Sequence, residues 1–335
     1  MTLRIAIIGA GLAGRSHALD IVTDPTMQLA GVAAAHQDSA GCFADDFGTA
    51  VYPNAEAILS DRHIDAVVIA VPPKVVFDIA EGVDTEKPCL IEKPIPATVA
   101  DRRRLVRLAA DHPHMIVPFN RRYQPTVLHA ADCLQSGVLG AVVSVDAVWR
   151  GPYAARFAPS SGTYRSHAGP RHGVLIDTGS HALDVLAVLL GQLPHPSRLS
   201  SRITGNLHGT DIAAELVFEG EPRTRVALVD DPGAHDCGGW SVTATCEQGS
   251  LHLAEDGLLI HTPSLAVQRH PAEPMERPVT DLVRIRDGSP PLGASLREIL
   301  PIGDIVIAAH NRSCRTASTW IRPRGKALGR LNGSC

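Results

Sequence analysis

The sequence predicts an α/β domain followed by an α+β domain whose main element is a large, open, mostly antiparallel sheet. An apolar run of strand length, residues 3–8, ends in Gly9-x-Gly11-x-x-Gly14 and continues into a helical stretch. Apolar strands then alternate with helical segments up to about residue 120, which is typical of a parallel sheet. Short strands of alternating polarity follow. We therefore place one domain at 1–120 and the second at 121–335.

The glycine-rich turn predicts a Rossmann domain that binds a dinucleotide. The first glycine permits the tight turn, the second lets the backbone approach a pyrophosphate, and the third lets the helix lie close to the strand. A strand before the motif and a helix after it are the context that the motif requires. The turn residues expected at the cofactor are Gly9, Gly11, Leu12, Ala13 and Gly14.

Composition excludes several functional classes. The 335 residues carry a net charge of −4, which leaves no basic excess for nucleic acid or an anionic membrane. No apolar run is long enough to span a bilayer and no signal peptide pattern is present, so we expect a cytoplasmic protein. The seven cysteines form no CxxC pair and no metal-like spacing with histidine. We expect free thiols and no metal site.

The end of the second strand should select between NAD and NADP. An acidic residue there binds the 2′-hydroxyl of NAD, whereas an arginine favours NADP. This chain has Ala34, Ala35 and His36 instead, with Asp38 two residues later. We favour NAD because no Arg or Lys lies between Arg15 and Arg62, although this position leaves NADP open. His36 and Asp38 are the candidates for the ribose.

Two further strands end in residues that belong at the cofactor edge of the sheet. Residues 65–71 form an apolar strand that ends at Ala70, Pro72 and Pro73, and residues 88–91 lead directly into Glu92-Lys93-Pro94. Ligands of open α/β sheets bind at the carboxyl ends of the strands. We therefore expect Lys93 to point towards the cleft.

These motifs, in this order and spacing, resemble the Gfo/Idh/MocA oxidoreductases, named for glucose–fructose oxidoreductase and inositol dehydrogenase. The resemblance implies that Lys93 is catalytic, that Pro72 and Pro73 line the nicotinamide pocket, and that Arg122 lies in the crossover between the domains. One departure is visible, since Val76 stands where the family often has histidine. From these features the expected cofactor residues beyond the glycine turn are His36, Asp38, Ala70, Pro72, Pro73, Glu92, Lys93 and Arg122.

The second half contains another motif that can carry chemistry. Asp177 and His181 are four residues apart on a predicted helix, which places their Cβ atoms about 6 Å apart. A helical ion pair alone would explain this spacing. However, Gly173-x-x-x-Asp177-x-Gly-x-His181-x-x-Asp184 also resembles the same family and implies catalytic roles for Asp177 and His181. Loop 151–173 adds candidate substrate contacts, so the predicted substrate residues are Lys93, Tyr153, Tyr164, Arg165, His172, Asp177 and His181.

The resulting hypothesis is a dehydrogenase that oxidises a ring secondary hydroxyl of a sugar, cyclitol or glycoside. Resemblance to family members of aminoglycoside pathways suggests oxidation at C3″ before transamination, with Asp146, Asp177 and Asp184 near a cationic substrate. Two alternatives are a non-catalytic NAD-binding regulator and a redox-neutral, NAD-dependent glycosidase. The open sheet has a face to cover, so we expect a homo-oligomer. Residues 295–311 are a predicted helix, followed by a basic tail, 312–335.

Overall fold

The structure is a computed structural model that describes residues 2–93, 96–161, 172–205, 209–235, 238–262 and 265–316. Two sheets organise these residues, one of seven strands and one of eight. None of the helices in these ranges combines the length and apolar character needed to cross a membrane. The same ranges contain no group of three or more His, Cys, Asp or Glu side chains placed to hold a metal ion.

The first sheet has the strand order 3-2-1-4-5-6 that defines a Rossmann domain, and these six strands are parallel. The strands are β1 (Leu3–Ile8), β2 (Met27–Ala33), β3 (Ala50–Val51), β4 (Ala66–Ile69), β5 (Cys89–Ile91) and β6 (Met115–Val117). The helices are α1 (Leu12–Val22), α2 (Gln37–Phe47), α3 (Ala55–Leu59), α4 (Val76–Ala80) and α5 (Val99–Asp111).

Burial on both faces explains why the central strands are continuous apolar runs. All four residues of β4 and all three of β5 are buried. Thr98 caps α5 by accepting a hydrogen bond from the Asp101 backbone N–H at 3.1 Å. Successive strands are added on one side of β1 up to β3 and on the other side from β4 onwards. The glycine turn after β1 therefore lies at the switch point between β1 and β4, where ligands of such folds bind.

The second sheet has the order 14-13-12-11-7-10-9-8. Its strands are β7 (Val142–Gly151), β8 (Leu199–Gly205), β9 (Asp211–Phe218), β10 (Arg223–Asp230), β11 (Gly239–Cys246), β12 (Gly249–Ala254), β13 (Gly257–Thr262) and β14 (Leu265–Pro271). The pairs are antiparallel except for β7 and β10, which are parallel. The prediction of a mostly antiparallel sheet is confirmed.

Helices cover one face of this sheet. They are α6 (Pro125–Gln135), α7 (Tyr153–Arg156), α8 (Ser180–Leu190) and α10 (Leu296–Thr316). A further helix, α9 (Thr280–Arg286), packs in the core of the first sheet. Val145, Ala147 and Trp149 of β7 are buried in the core that α6 and α8 complete. The opposite face carries partly exposed polar residues, among them Asp146 and Arg225, whose side chains form an ion pair at 3.0 Å. This alternation agrees with the strands of alternating polarity that the sequence predicts for the second domain, although Val143 at the start of β7 is exposed.

The chain returns to the first sheet near its C-terminus. A short strand, β15 (Ala294–Ser295), pairs antiparallel with β6, and α10 packs against α5. Val279 and Leu282 are buried in the same core as Leu3. A segment that the sequence assigns to the second domain therefore contributes to the first, while the boundary near residue 120 stays a prediction for the first crossing.

Asp281 on α9 holds this C-terminal segment against the first domain through its hydrogen bonds. The side chain is fully buried and accepts four hydrogen bonds, from the Tyr123 hydroxyl at 2.7 Å, the Arg284 guanidinium at 2.9 Å, and the backbone N–H groups of Leu292 and Gly293 at 3.0 and 2.7 Å. A buried carboxylate is tolerated when it is paired in this way. Burial and the Asp281 charge raise the pKa of Tyr123, so its hydroxyl remains a donor.

We expect Gly9→Ala to destabilise the fold by more than about 2 kcal/mol, because φ is positive and the new Cβ meets backbone. Gly9 has φ +118°, and its Cβ would lie 2.2 Å from the Ala70 carbonyl oxygen. Gly41 in α2 is the matched control, since its Cβ would meet nothing within 4 Å. Gly41→Ala should stabilise by about 0.5–1 kcal/mol. Urea unfolding measures both, and equal stabilities would contradict the assignment.

Candidate active site

The glycine turn is closely packed at Gly14 and open at Gly11. A Cβ on Gly14 would lie 2.0 Å from the Gly9 carbonyl oxygen, so the start of α1 is held against the end of β1. A Cβ on Gly11 would meet nothing within 4 Å. Gly11 is also the N-cap of α1, without a side-chain cap, and Leu12 is 89% exposed. The first-turn N–H groups can therefore bind a pyrophosphate, as NAD requires.

The two residues predicted to bind the adenosine ribose, His36 and Asp38, lie at the surface at the start of α2. His36 is the N-cap of α2 and Asp38 lies in its first turn, and both are exposed. Arg15, the basic residue nearest to the motif in sequence, binds Asp46 at 2.5 Å near the opposite end of α2 and lies over the Phe43 ring. Its charge is thus directed away from the end of α2 that carries His36.

The family resemblance predicts the nicotinamide side of the site at the carboxyl ends of β4 and β5. Ala70 and Pro72 follow β4, and Glu92 and Lys93 follow β5. The Glu92 carboxylate contacts His17 of α1 at 2.8 Å, and His17 is buried. This contact ties the end of β5 to α1. Val76, where the family often has histidine, is buried in the core as the first residue of α4.

Lys93 and Asp177 meet across the two domains. The Lys93 ammonium donates to the Asp177 carboxylate at 2.5 Å and to the Asp177 carbonyl oxygen at 3.1 Å. The two side chains are 15% and 11% exposed. Both side chains are largely removed from water, and the attraction between them offsets part of the cost of that desolvation. The sequence placed both residues at the site but gave no sign that they contact each other.

The segment around Asp177 is not the uniform helix that the sequence suggests. Leu175–Gly179 form a single π-helical turn, and α8 begins at Ser180. Such turns widen a helix locally and recur at functional sites. His181 follows in the first turn of α8, and its ring lies edge-on to buried Phe119, with centroids 5.4 Å apart. The ring contact restrains the imidazole plane.

Lys93, Asp177 and His181 line one cavity of about 300 Å³. The cavity lies between the carboxyl edge of the first sheet and strands β7 and β11 of the second. Its other lining residues are Glu92, Pro118, Asn120, Arg121, Trp149, Arg150, Tyr153, Arg156, Thr178, Gly239, Trp240 and Glu255. Trp149 and Trp240 stack with ring centroids 5.3 Å apart. The structure thus brings together the three predicted catalytic residues.

Several of these residues were missed by sequence reasoning. Trp149 and Trp240 are far apart in the chain, and only the register of β7 with β11 makes them neighbours. Arg150 and Arg156 flank Tyr153, which lines the cavity and is the one member of the predicted loop group to do so among the residues that the structure describes. His172 is described but does not line it. Tyr164 and Arg165 lie outside the described residues.

Arg122 is a correction to the predicted cofactor set. Its guanidinium is 9% exposed and binds the Asp184 carboxylate at 2.9 Å and the Glu298 carboxylate at 2.8 Å. The residue therefore ties α8 to α10. Burial raises the pKa of Glu298, but Arg122 and Ser295 more than offset this and hold it below its ordinary value. We assign Arg122 a structural role.

The acids expected near a cationic substrate are also corrected. Asp146 lies on the polar face of the second sheet, paired with Arg225, and Asp184 is fully buried beside Arg122. Of the three predicted acids, only Asp177 lines the cavity. A larger cavity of about 1400 Å³ lies elsewhere, along α8 and α10, and contains none of the three catalytic candidates.

Comparison with known proteins decides the family. Residues 3–119 match the oxidoreductase family with an NAD-binding Rossmann fold, and residues 127–252 match the GFO/IDH/MocA C-terminal domain. The chain belongs to this family. The matched segments include Lys93, Asp177 and His181, and the resemblance stated from the sequence motifs is confirmed.

Two curated relatives show the range of its similarities. Inositol 2-dehydrogenase 2 of Saccharopolyspora erythraea is 30% identical over 57% of this chain and 55% of that protein. The dTDP-3,4-didehydro-2,6-dideoxy-alpha-D-glucose 3-reductase of Streptomyces violaceoruber is 28% identical over 99% of this chain and 90% of that protein. Several relatives, including the inositol dehydrogenase, are covered over only 38–63% of their own length.

Solved structures share the fold over nearly the whole chain. Levoglucosan dehydrogenase, solved with NADH and levoglucosan, has a TM-score of 0.81 at 17% identity, and the similarity covers 95% of this chain and 98% of that chain. GenD2 from gentamicin A biosynthesis, solved with NAD, has a TM-score of 0.74 at 19% identity, and the similarity covers 94% of this chain and 95% of that chain. These similarities confirm the two-sheet architecture.

Asp184 makes stability depend on pH. Burial raises the pKa of Asp184 to about 7, although Arg122 acts to lower it. Its second carboxylate oxygen has no hydrogen-bond partner among the described residues. The folded state then binds more protons than the unfolded chain between about pH 4 and pH 7, so the contribution of this group to stability falls as pH rises.

We therefore expect the free energy of unfolding of Asp184→Asn to rise by about 1–3 kcal/mol relative to that of the native protein when the pH is raised from about 5 to about 8. The native protein loses this stability as Asp184 ionises, whereas the variant does not. Urea unfolding at both pH values measures the difference. Asp45→Asn, at an exposed position of α2, is the control and should leave the pH dependence unchanged. A constant difference for Asp184→Asn would show that Asp184 is already ionised throughout this range.

Proposed function

We propose that the protein is an NAD-dependent dehydrogenase that oxidises a ring secondary hydroxyl of a sugar, cyclitol or glycoside to a ketone. The observation that carries the proposal is the convergence of Lys93, Asp177 and His181 on one cavity at the carboxyl edge of the nucleotide-binding sheet. The names of relatives and of proteins with similar structures, which include inositol and levoglucosan dehydrogenases, support a polyhydroxylated substrate.

Each of the three residues has a distinct role. His181 is the general base that takes the hydroxyl proton, because an imidazole titrates near working pH. Lys93 binds the substrate oxygen and stabilises the negative charge that develops on it. Asp177 holds the Lys93 ammonium in place at 2.5 Å, and its carboxylate stabilises the protonated imidazole. Bound NAD supplies the hydride acceptor.

The structure supports NAD over NADP. A 2′-phosphate needs a cation near the end of β2, and the residues there are Ala34, Ala35 and His36. The guanidinium of Arg15 forms an ion pair with the Asp46 carboxylate. Asp38, exposed in the first turn of α2, can accept a hydrogen bond from the ribose 2′-hydroxyl and would repel a phosphate.

The finer proposals concern substrate and assembly. Oxidation at C3″ of an aminoglycoside precursor stays a hypothesis that the fold similarity to GenD2 supports. Of the acids predicted near a cationic substrate, Asp177 lines the cavity, whereas Asp146 and Asp184 lie outside it. The polar face of the second sheet is the surface that a second copy would cover in a homo-oligomer, and a cytoplasmic location agrees with four free cysteines among the described residues.

The direct test is to load the purified protein with NAD and NADP in turn and follow NADH or NADPH absorbance with inositols, hexoses and glycosides. We expect reduced cofactor to form with NAD and one substrate class. Bound NAD without turnover would favour the non-catalytic regulator. Product formation without net NADH would favour the redox-neutral glycosidase.

Substitutions test the catalytic roles. We expect Lys93→Met and His181→Ala each to lower turnover at least about a hundredfold, since each removes a group that acts on the reacting oxygen or its proton. Lys87→Met and His261→Ala are controls outside the cavity. NAD binding, measured separately by fluorescence titration, distinguishes lost chemistry from lost cofactor. Near-normal turnover in either variant would remove that residue from the mechanism.

A further inference from the structure

We infer that Asp211, on strand β9, is a positioning residue for the reaction. Its carboxylate fixes the start of the helical segment that carries Asp177 and thereby places Asp177 against Lys93. This inference rests on the proposed function, because it concerns the same ion pair. Asp211 is not among the residues that line the cavity, so it acts through Asp177 and not on the substrate.

The helical segment that carries Asp177 begins without a cap of its own. Its first residues, Val174, Leu175 and Ile176, are apolar and buried, and no side chain at the N-cap position makes a capping bond. The first backbone N–H groups of a helix have no acceptor within the helix. A buried N–H group without an acceptor costs about 1–3 kcal/mol. The segment therefore needs an acceptor from another part of the chain.

Asp211 supplies that acceptor from the second sheet. Its Oδ2 atom accepts a hydrogen bond from the Leu175 backbone N–H at 2.8 Å, and the residue is 7% exposed. The dipole of a helix also favours a carboxylate at its N-terminal end. Asp211 is the first residue of β9 and pairs in register with Gly205 of β8. The sheet therefore determines where this acceptor lies.

Gly173 brings the backbone close to the same carboxylate. Its φ is +103°, and a Cβ at this position would lie 2.0 Å from Oδ1 of Asp211. The Gly173 carbonyl oxygen accepts a hydrogen bond from the Asp177 backbone N–H at 3.0 Å. One hydrogen bond thus connects Asp177 to the residue that packs against Asp211.

The far end of the π-helical turn is held as well. The side chain of Thr178 is hydrogen-bonded to the Tyr153 hydroxyl, and both residues are buried. Asp177 lies between Thr178 and Leu175, so the turn is fixed on both sides of it. The Asp177 carboxylate and carbonyl oxygen both accept from the Lys93 ammonium. Loss of the Asp211 contact would release one of the two attachments that hold this geometry.

The second oxygen of Asp211 has a weaker contact. Among the described residues, the charged or titratable group recorded beside it is His310 of α10, whose Nε2 atom lies 3.8 Å from Oδ1. This distance is too long for a hydrogen bond. An asparagine would therefore keep the oxygen that Leu175 needs and lose only the longer contact.

The test compares Asp211→Ala and Asp211→Asn, both loaded with NAD and assayed with the substrate that the native protein turns over. Alanine removes the acceptor, so we expect kcat per folded molecule to fall about 10–100-fold, because a displacement of about 1 Å at a reacting centre can cost that much. KM for the substrate should change less than kcat. Asparagine keeps the hydrogen bond to Leu175 and should recover most of kcat.

Asn54→Ala is the matched control. Asn54 caps α3 by accepting from the Ala57 backbone N–H, also at 2.8 Å, and lies outside the cavity. The variant should lose about 1 kcal/mol of stability with kcat unchanged. If Asp211→Ala does not fold, Asp211→Ser takes its place, because its hydroxyl is one bond too short to reach Leu175.

Two outcomes would overturn the inference and leave the proposed function intact. The first is a lower stability of the Asp211→Ala or Asp211→Ser variant with a native kcat per folded molecule, which would show that Asp211 only supports the fold. The second is a loss of kcat that asparagine does not recover. NAD affinity, measured by fluorescence titration, should stay native in every variant, because the glycine turn belongs to the other sheet.

Acetylation of Lys93, followed by peptide mass spectrometry, separates the two proposals when the native protein shows no turnover. Lys93 is 15% exposed and held by Asp177, whereas Lys74 is exposed and serves as the reference. We expect Asp211→Ala to raise the rate at Lys93 severalfold, and Asp211→Asn and Asn54→Ala to leave it unchanged. This result without turnover would support the role of Asp211 and remove the dehydrogenase assignment. Equal rates in all variants would overturn the inference.

Discussion

The ion pair between Lys93 and Asp177 is the contact on which the site depends. Lys93 follows a buried strand of the nucleotide-binding sheet, whereas Asp177 lies in the π-helical turn of the other domain. The pair is only partly exposed, so each charge needs the other to offset its desolvation. A shift of either domain by a few ångströms would leave two incompletely hydrated charges. The same ion pair therefore places two charged groups in the cavity and fixes the relative position of the two domains.

Other parts of the fold support this arrangement from behind. Arg122 and Tyr123 are adjacent in the crossover, and each binds a buried carboxylate on a different helix: Arg122 binds Asp184 of α8, and Tyr123 binds Asp281 of α9. Asp184 lies on the helix that carries His181. The crossover thus fixes α8 against the first domain, while the π-helical turn directs the Asp177 carboxylate and carbonyl oxygen to one ammonium group.

The local part of this design could be predicted from the sequence, whereas the long-range part could not. The glycine turn and the buried strands of the first sheet depend on residues that are close together in the sequence, and both predictions agree with the structure. The Trp149–Trp240 stack depends on strand register, and β15 is two residues long, so neither leaves a periodic signal. Arg122 was placed at the cofactor because its motif marks the crossover, which says nothing about which carboxylates face it.

The return of the C-terminal segment has a consequence for synthesis of the chain. The core that contains Leu3 also contains Val279 and Leu282, and β6 has no outer neighbour until Ala294–Ser295 pair with it. An unpaired edge strand is a template for association with other chains. During translation the nucleotide-binding sheet therefore emerges before the segment that pairs with β6, because that segment follows all eight strands of the second sheet in the chain. Its exposed edge is a liability of the nascent chain that the finished protein no longer carries.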